Sequence, residues 1–147
     1  MVRMGATSEH FSAAELSCHG TNCCGGQNEC VPALVDALEA LRAIAGVPIA
    51  VDCAYRCPVH NKDVGGVPNS EHTMGIAADI KIEGMSPNAM YAAALKVPAF
   101  ADGGIGVSES ATGYIHVDCR PRLTRWTYDL SGKQAPWNPA LDIVVSA

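Results

Sequence analysis

No run of apolar residues in this chain approaches the roughly 20 that a membrane-spanning helix needs, so membrane insertion is not expected. Aromatic residues are scarce, at 5% of 147 positions. The interior must therefore be built mainly from aliphatic side chains. Basic residues are also few: ten Lys and Arg against fifteen Asp and Glu give a formal net charge of −5. That balance excludes the basic footprint of a nucleic-acid binder. Met1 to Gly5 hold a single charged side chain, Arg3, and no apolar stretch follows, so no secretory signal peptide is expected. Internal repeats and linkers are absent as well. With 48% apolar residues, the composition suits one globular domain over 1–147 with a single core.

Cysteine, by contrast, is plentiful. Four of the seven cluster at Cys18, Cys23, Cys24 and Cys30, and the others are Cys53, Cys57 and Cys119. An odd count leaves at least one thiol without an internal partner unless a metal or another chain takes it. The first four admit a structural zinc site, but their spacing lacks a C-x-x-C knuckle, which favours disulfides or free thiols. A Cys53–Cys57 disulfide would pin the loop between them. Disulfides would require an oxidising compartment.

The order of elements follows from local signals. Ser12-Ala-Ala-Glu15 forms a capping box for a short helix near 12–17. Pro32 suits a first helical turn, and Leu34, Leu38, Leu41 and Ala45 repeat at helical spacing until Gly46. Strands are expected at 49–55, 75–82, 104–107 and 114–119, with a long loop over 56–71 and a helix from Ser86-Pro87 to about Leu95. From Pro121 onward the chain reads as irregular. The predicted class is α+β: a small antiparallel sheet with helices packed on one side.

Two stretches carry chemistry. The first is Ser70-Glu-His-Thr-Met-Gly-Ile-Ala-Ala-Asp79. An Asp in mid-strand between Ala and Ile residues is costly to bury unless a cation compensates it. The second is Tyr114-Ile-His-Val-Asp118, where alternation puts Tyr114, His116 and Asp118 on one face. His72, Asp79 and His116 make a two-imidazole, one-carboxylate set with the fourth tetrahedral position open, the catalytic type of zinc site.

Ser70, His72, Gly75, Ala77, Asp79 and His116, together with Tyr55-Arg56-Cys57-Pro58, His60-Asn61 and Val64-Gly65-Gly66, resemble the zinc D-Ala-D-Ala carboxypeptidase family of peptidoglycan peptidases. That family is grouped with lysostaphin-type enzymes and hedgehog domains. The resemblance runs from about residue 10 to 126, and the opening Phe11 to Cys18 looks like short phage and bacterial members. It implies one catalytic zinc on His72, Asp79 and His116, hydrolysis of peptide bonds in peptidoglycan stem peptides, and Arg56 holding a substrate carboxylate. Arg56 could instead form an ion pair at the loop start. Ser70 would contact substrate, orient His72 or simply cap a turn. The general base is open between Asp118, which could also orient a ligating His, and Glu109 in the preceding turn. Family members carry a His two before the distal ligand or a Glu three before it; here Tyr114 and Gly113 stand there. Tyr114 would stabilise an oxyanion or pack across strands. A non-catalytic zinc module of the same fold is the alternative. The resemblance further implies action at the bacterial cell wall after phage-type release, the chain otherwise remaining cytoplasmic, and a monomer is expected.

Overall fold

The computed structural model describes residues 5–141. Helix α1, Ala13–Leu16, begins as the capping box requires: Ser12 Oγ accepts the Glu15 amide and the Glu15 carboxylate accepts the Ser12 amide. Helix α2 spans Pro32–Ala45 and stops where Gly46 takes φ 71°. Its buried stripe is Leu34, Val35, Ala37, Leu38 and Leu41. Strands follow at β1, Ile49–Cys53, β2, Ala77–Ile82, β3, Gly104–Ser108, and β4, Ile115–Asp118. Helix α4, Pro87–Ala94, is capped by Ser86, whose Oγ accepts the Ala89 amide.

Five elements lie outside the sequence reading. Helix α3, Pro58–Asp63, occupies part of the predicted long loop, with Cys57 as its N-cap and Pro58 at its first position. A 3₁₀ turn follows at Glu71–Met74. Helix α5, Pro98–Ala101, is a single turn. The segment after Pro121 is not irregular: β5, Thr124–Tyr128, and the short β6, Gln134–Ala135, extend the sheet. Thr, Trp and Tyr in β5 are strand formers, but the five-residue run has neither alternation nor a glycine turn to mark it.

The sheet has six strands in the order β1-β2-β4-β3-β5-β6. All neighbours are antiparallel except β3 and β5. The sheet is α+β in type, as expected, with one parallel pair added.

One face of the sheet builds the core. Ala78, Ile80 and Ile82 of β2, Ile105 and Val107 of β3, and Ile115 and Val117 of β4 are buried against Leu38, Leu41, Met90, Tyr91 and Phe100 of the helices. Burying each such aliphatic side chain is worth about 1.5–3 kcal/mol. The opposite face is where alternation sends Ala77, Asp79, His116 and Asp118. No helix among the described residues is long and apolar enough to cross a membrane.

Candidate metal centre

Strand register assembles a row on the face opposite the core. Asp79 pairs with His116, His116 with Gly106, and Gly106 with Trp126. His72 joins this row from the 3₁₀ turn. That turn starts at Ser70, whose Oγ accepts the His72 amide at 3.3 Å, so Ser70 orients the turn. It ends at Gly75, with φ 72°, where a Cβ would run into the Glu29 carbonyl. Only glycine meets both demands.

The three expected ligands converge. His72 Nε2 lies 3.3 Å from Asp79 Oδ2, and His116 Nδ1 lies 3.1 Å from Asp79 Oδ1. The two imidazoles stand edge to face with centroids 5.1 Å apart. Each ring has its other nitrogen engaged. His72 Nδ1 is 2.8 Å from the Ala54 carbonyl, which makes Nδ1–H the donor and leaves Nε2 free to coordinate. His116 Nε2 is 2.7 Å from Asp118 Oδ2. A carbonyl and a carboxylate behind two imidazoles are the supports that fix tautomer and ring direction at metal sites. Two imidazoles and a carboxylate, each oriented from behind, fit zinc. Cys53 also lies near His72 and Asp79, but its Sγ approaches His72 at Nδ1, 3.8 Å away, on the side already given to Ala54.

Without a cation, the carboxylates and imidazoles hold one another. Burial disfavours protonation of His72, but its hydrogen bonds to Asp79 and Cys53 and the Asp79 charge outweigh that, and the ring is pushed up to about 9. His116 is likewise buried, yet Asp118 and Asp79 push it up to about 9. Asp79 and Asp118 resist burial and sit well below the usual carboxylate range because the imidazoles, and Arg120 for Asp118, favour their charged forms. The raised imidazoles contribute stability that is complete below about pH 6.5. That contribution fades as pH rises through about 9. The metal-free protein should therefore melt at progressively lower temperature above pH 6.5. Added zinc should reverse the trend, because binding displaces those protons. A thermal melt series of metal-free and zinc-loaded protein between pH 6 and 10 checks this.

Asp118 sits behind His116, not over the cleft. It is fully buried and accepts the Gly104 amide at 2.9 Å, the Arg120 amide at 3.0 Å and the Arg120 guanidinium at 2.8 Å. Gly104 makes the space, since a Cβ there would collide with Asp118 Oδ2 and Arg120 Nε. With its oxygens taken, Asp118 is placed as the orienting partner of His116. Glu109 is exposed and lines a separate depression with Asn88 and Asn138. The structure therefore does not bring either base candidate to the cleft.

The cleft in front of the row has a volume of about 440 Å³. Its walls include Arg56, Ser70, Tyr114, Trp126 and Tyr128, and among the described residues its one carboxylate besides Asp79 is Glu71. Glu71 pairs with Arg120 at 3.0 Å, and Arg120 in turn lies 5.1 Å over the Trp126 ring. Arg56 makes no ion pair among the described residues, and its buried Nε has no hydrogen-bond partner. Tyr114 packs on Tyr128 with centroids 5.1 Å apart, and burial and the Asp79 charge push its hydroxyl up to about 12, so it remains a donor. Trp126 and Tyr128 reach the cleft because Gly106 has no side chain: a Cβ there would strike the Trp126 indole. Trp137 instead packs on Tyr91. Sequence reasoning passed over Glu71 and Arg120. Glu71 could have been found from its place in Ser70-Glu71-His72, whereas Arg120 carries no local signal.

A family model described as Peptidase M15 matches residues 9–118. No curated protein matches the chain with significance.

Proposed function

The chain belongs to the Peptidase M15 family, the zinc D-Ala-D-Ala carboxypeptidase type, and on that premise we propose that it hydrolyses a peptide bond in peptidoglycan stem peptides, as a carboxypeptidase or an endolysin-type endopeptidase. The observation that carries this reading is the convergence of His72 and His116 on the two oxygens of Asp79, each ring fixed from behind. His72 Nε2, Asp79 and His116 Nδ1 would hold the zinc. Bound there, zinc supplies polarisation of the scissile carbonyl and a water of lowered pKa.

The remaining roles belong to the chain. Arg56 offers a planar fork to a substrate carboxylate, and its buried Nε–H, which has no acceptor among the described residues, supports that use. Tyr114 donates its hydroxyl toward charge developing on the carbonyl oxygen. Glu71, the cleft-facing carboxylate, takes the proton from the attacking water and returns it to the leaving amine. Trp126 and Tyr128 exclude water from one side. Delivery to the cell wall after release from a host cell, in the manner of phage lysis enzymes, belongs to the same proposal.

The test is turnover of purified muropeptides by zinc-loaded protein. New amino termini or released D-Ala that disappear with chelator support it. A folded, zinc-loaded protein that leaves muropeptides intact would instead establish the non-catalytic module, a reading favoured by the lack of an acidic or imidazole side chain at Gly113 and Tyr114. The two carboxylates separate by readout. Asp118→Asn should weaken zinc binding about 10–100-fold, the usual effect of losing such a support. Glu71→Gln should leave zinc binding unchanged and lower kcat about 10²–10⁴-fold, the range for a proton-transfer group. Unchanged zinc affinity in Asp118→Asn, with activity lost, would restore Asp118 as the base.

A further inference from the structure

Seven thiols remain unpaired in the fold, and four of them meet at one point. Cys18, Cys23, Cys24 and Cys57 place their sulfurs within 4.8 Å of one another. Cys30, grouped with the first three by sequence, is not among them: its thiol points to the Leu16 carbonyl, 3.6 Å away. Cys57, distant in sequence, takes its place. The expected Cys53–Cys57 pairing is also absent, because Cys53 faces His72 and Cys57 faces this cluster.

We infer that Cys18, Cys23, Cys24 and Cys57 form a tetrathiolate site for a structural zinc ion, separate from the His72–Asp79–His116 centre. Spacing is the first support. Four sulfurs about 2.3 Å from a tetrahedral zinc lie about 3.8 Å from one another. Cys18 and Cys23 stand 3.9 Å apart, and Cys23 and Cys24 stand 4.0 Å apart. The second support is the ring of amide donors. Cys57 N–H points to Cys18 Sγ at 3.5 Å, Gln27 N–H to Cys24 Sγ at 3.4 Å, and His60 N–H to Cys57 Sγ at 3.4 Å. Binding Zn²⁺ releases four thiol protons to solvent and leaves a net charge of −2 on the site. Backbone amides directed at the sulfurs spread that charge.

The third support is the loop itself. Residues 19–26 form no helix or strand, and their only sizeable burial is that of the half-buried thiols Cys23 and Cys24. Their ends are tied by the Cys18 amide to the Gln27 carbonyl at 2.9 Å. Between the ends, Asn22, Gly25 and Gly26 all adopt left-handed φ, from 55° to 78°. Gly20 has no room for a side chain, since a Cβ would press on Cys23 and His60. A loop turned this sharply, with so little buried, lacks an apolar reason to hold one shape. Its sulfurs supply a reason if they share an ion. The ion would also fasten this loop to Cys57, the residue after Arg56, and so brace the segment that carries Arg56 to the cleft.

Metal analysis and cobalt substitution of the full chain test the site without relying on peptidase activity. The wild-type protein should hold two equivalents of zinc. His72→Ala should keep one, and Cys30→Ser should keep both. Cobalt-loaded His72→Ala should show the intense sulfur-to-cobalt charge-transfer and visible bands of a tetrahedral thiolate site. Cys23→Ser combined with Cys24→Ser should lose those bands. Folded His72→Ala that binds no zinc, or that gives a cobalt spectrum without thiolate bands, overturns the inference. So does a native mass short of two hydrogens for each disulfide among these four cysteines. Because the readout is in the His72→Ala background, failure of this site and failure of the peptidase centre give different results.

Discussion

His72→Ala is expected to reduce muropeptide hydrolysis at least about 10³-fold, which is about 4 kcal/mol of transition-state stabilisation. The same variant should lose one equivalent of zinc while its fold, measured by circular dichroism, persists. The loss should be large because His72 is a committed donor. Its backbone is set by the Ser70 cap and by Gly75, and its Nδ1 is already given to Ala54. Cys53 sits close by, but on the wrong side of the ring. Cys53→Ala should therefore retain zinc at this centre and most of the activity. Unchanged zinc stoichiometry in His72→Ala, or loss of the metal in Cys53→Ala, would replace the donor set.

Arg56→Ala should lower kcat/KM about 10²-fold on peptides that end in a free carboxylate, mainly through KM. Losing a charge-assisted hydrogen bond in a partly closed site costs about 1.5–3 kcal/mol. Amidation of that terminus should lower kcat/KM for the wild type to a similar degree. The variant should not distinguish the amide from the acid, since the two changes remove one interaction. Arg56→Lys should recover little, because an ammonium cannot present the planar fork. If Arg56→Ala affects acid and amide substrates equally, Arg56 serves the fold and not the substrate.

The parts of this molecule that could be read in its sequence are those where a local rule dictates structure. Ser12 and Glu15 announce α1, and the Leu34–Leu38–Leu41 stripe with Gly46 bounds α2. The alternation of Tyr114, His116 and Asp118 put them on the face that Asp79 also occupies. The parts that could not be read depend on distant segments. Thr124 to Tyr128 becomes a strand because β3 offers a free edge for parallel pairing. Asp118 looked free to handle a proton until Arg120, Gly104 and His116 took its oxygens. Cys57 replaced Cys30 in the thiol cluster because Cys30 turns to the Leu16 carbonyl.

The family match ends at Asp118, and β5 begins six residues later. Every proposed metal donor lies inside the matched segment, while Trp126 and Tyr128 lie beyond it. The contacts across that division have an evolutionary consequence. Mutations in 119–135 cannot reshape that wall of the cleft independently of the donors, because the Trp126 ring lies 5.0 Å from the His116 ring and Arg120 holds Asp118 behind it. The wall and the donors are therefore expected to change together, with Trp126 and Arg120 as the two side chains that tie one to the other.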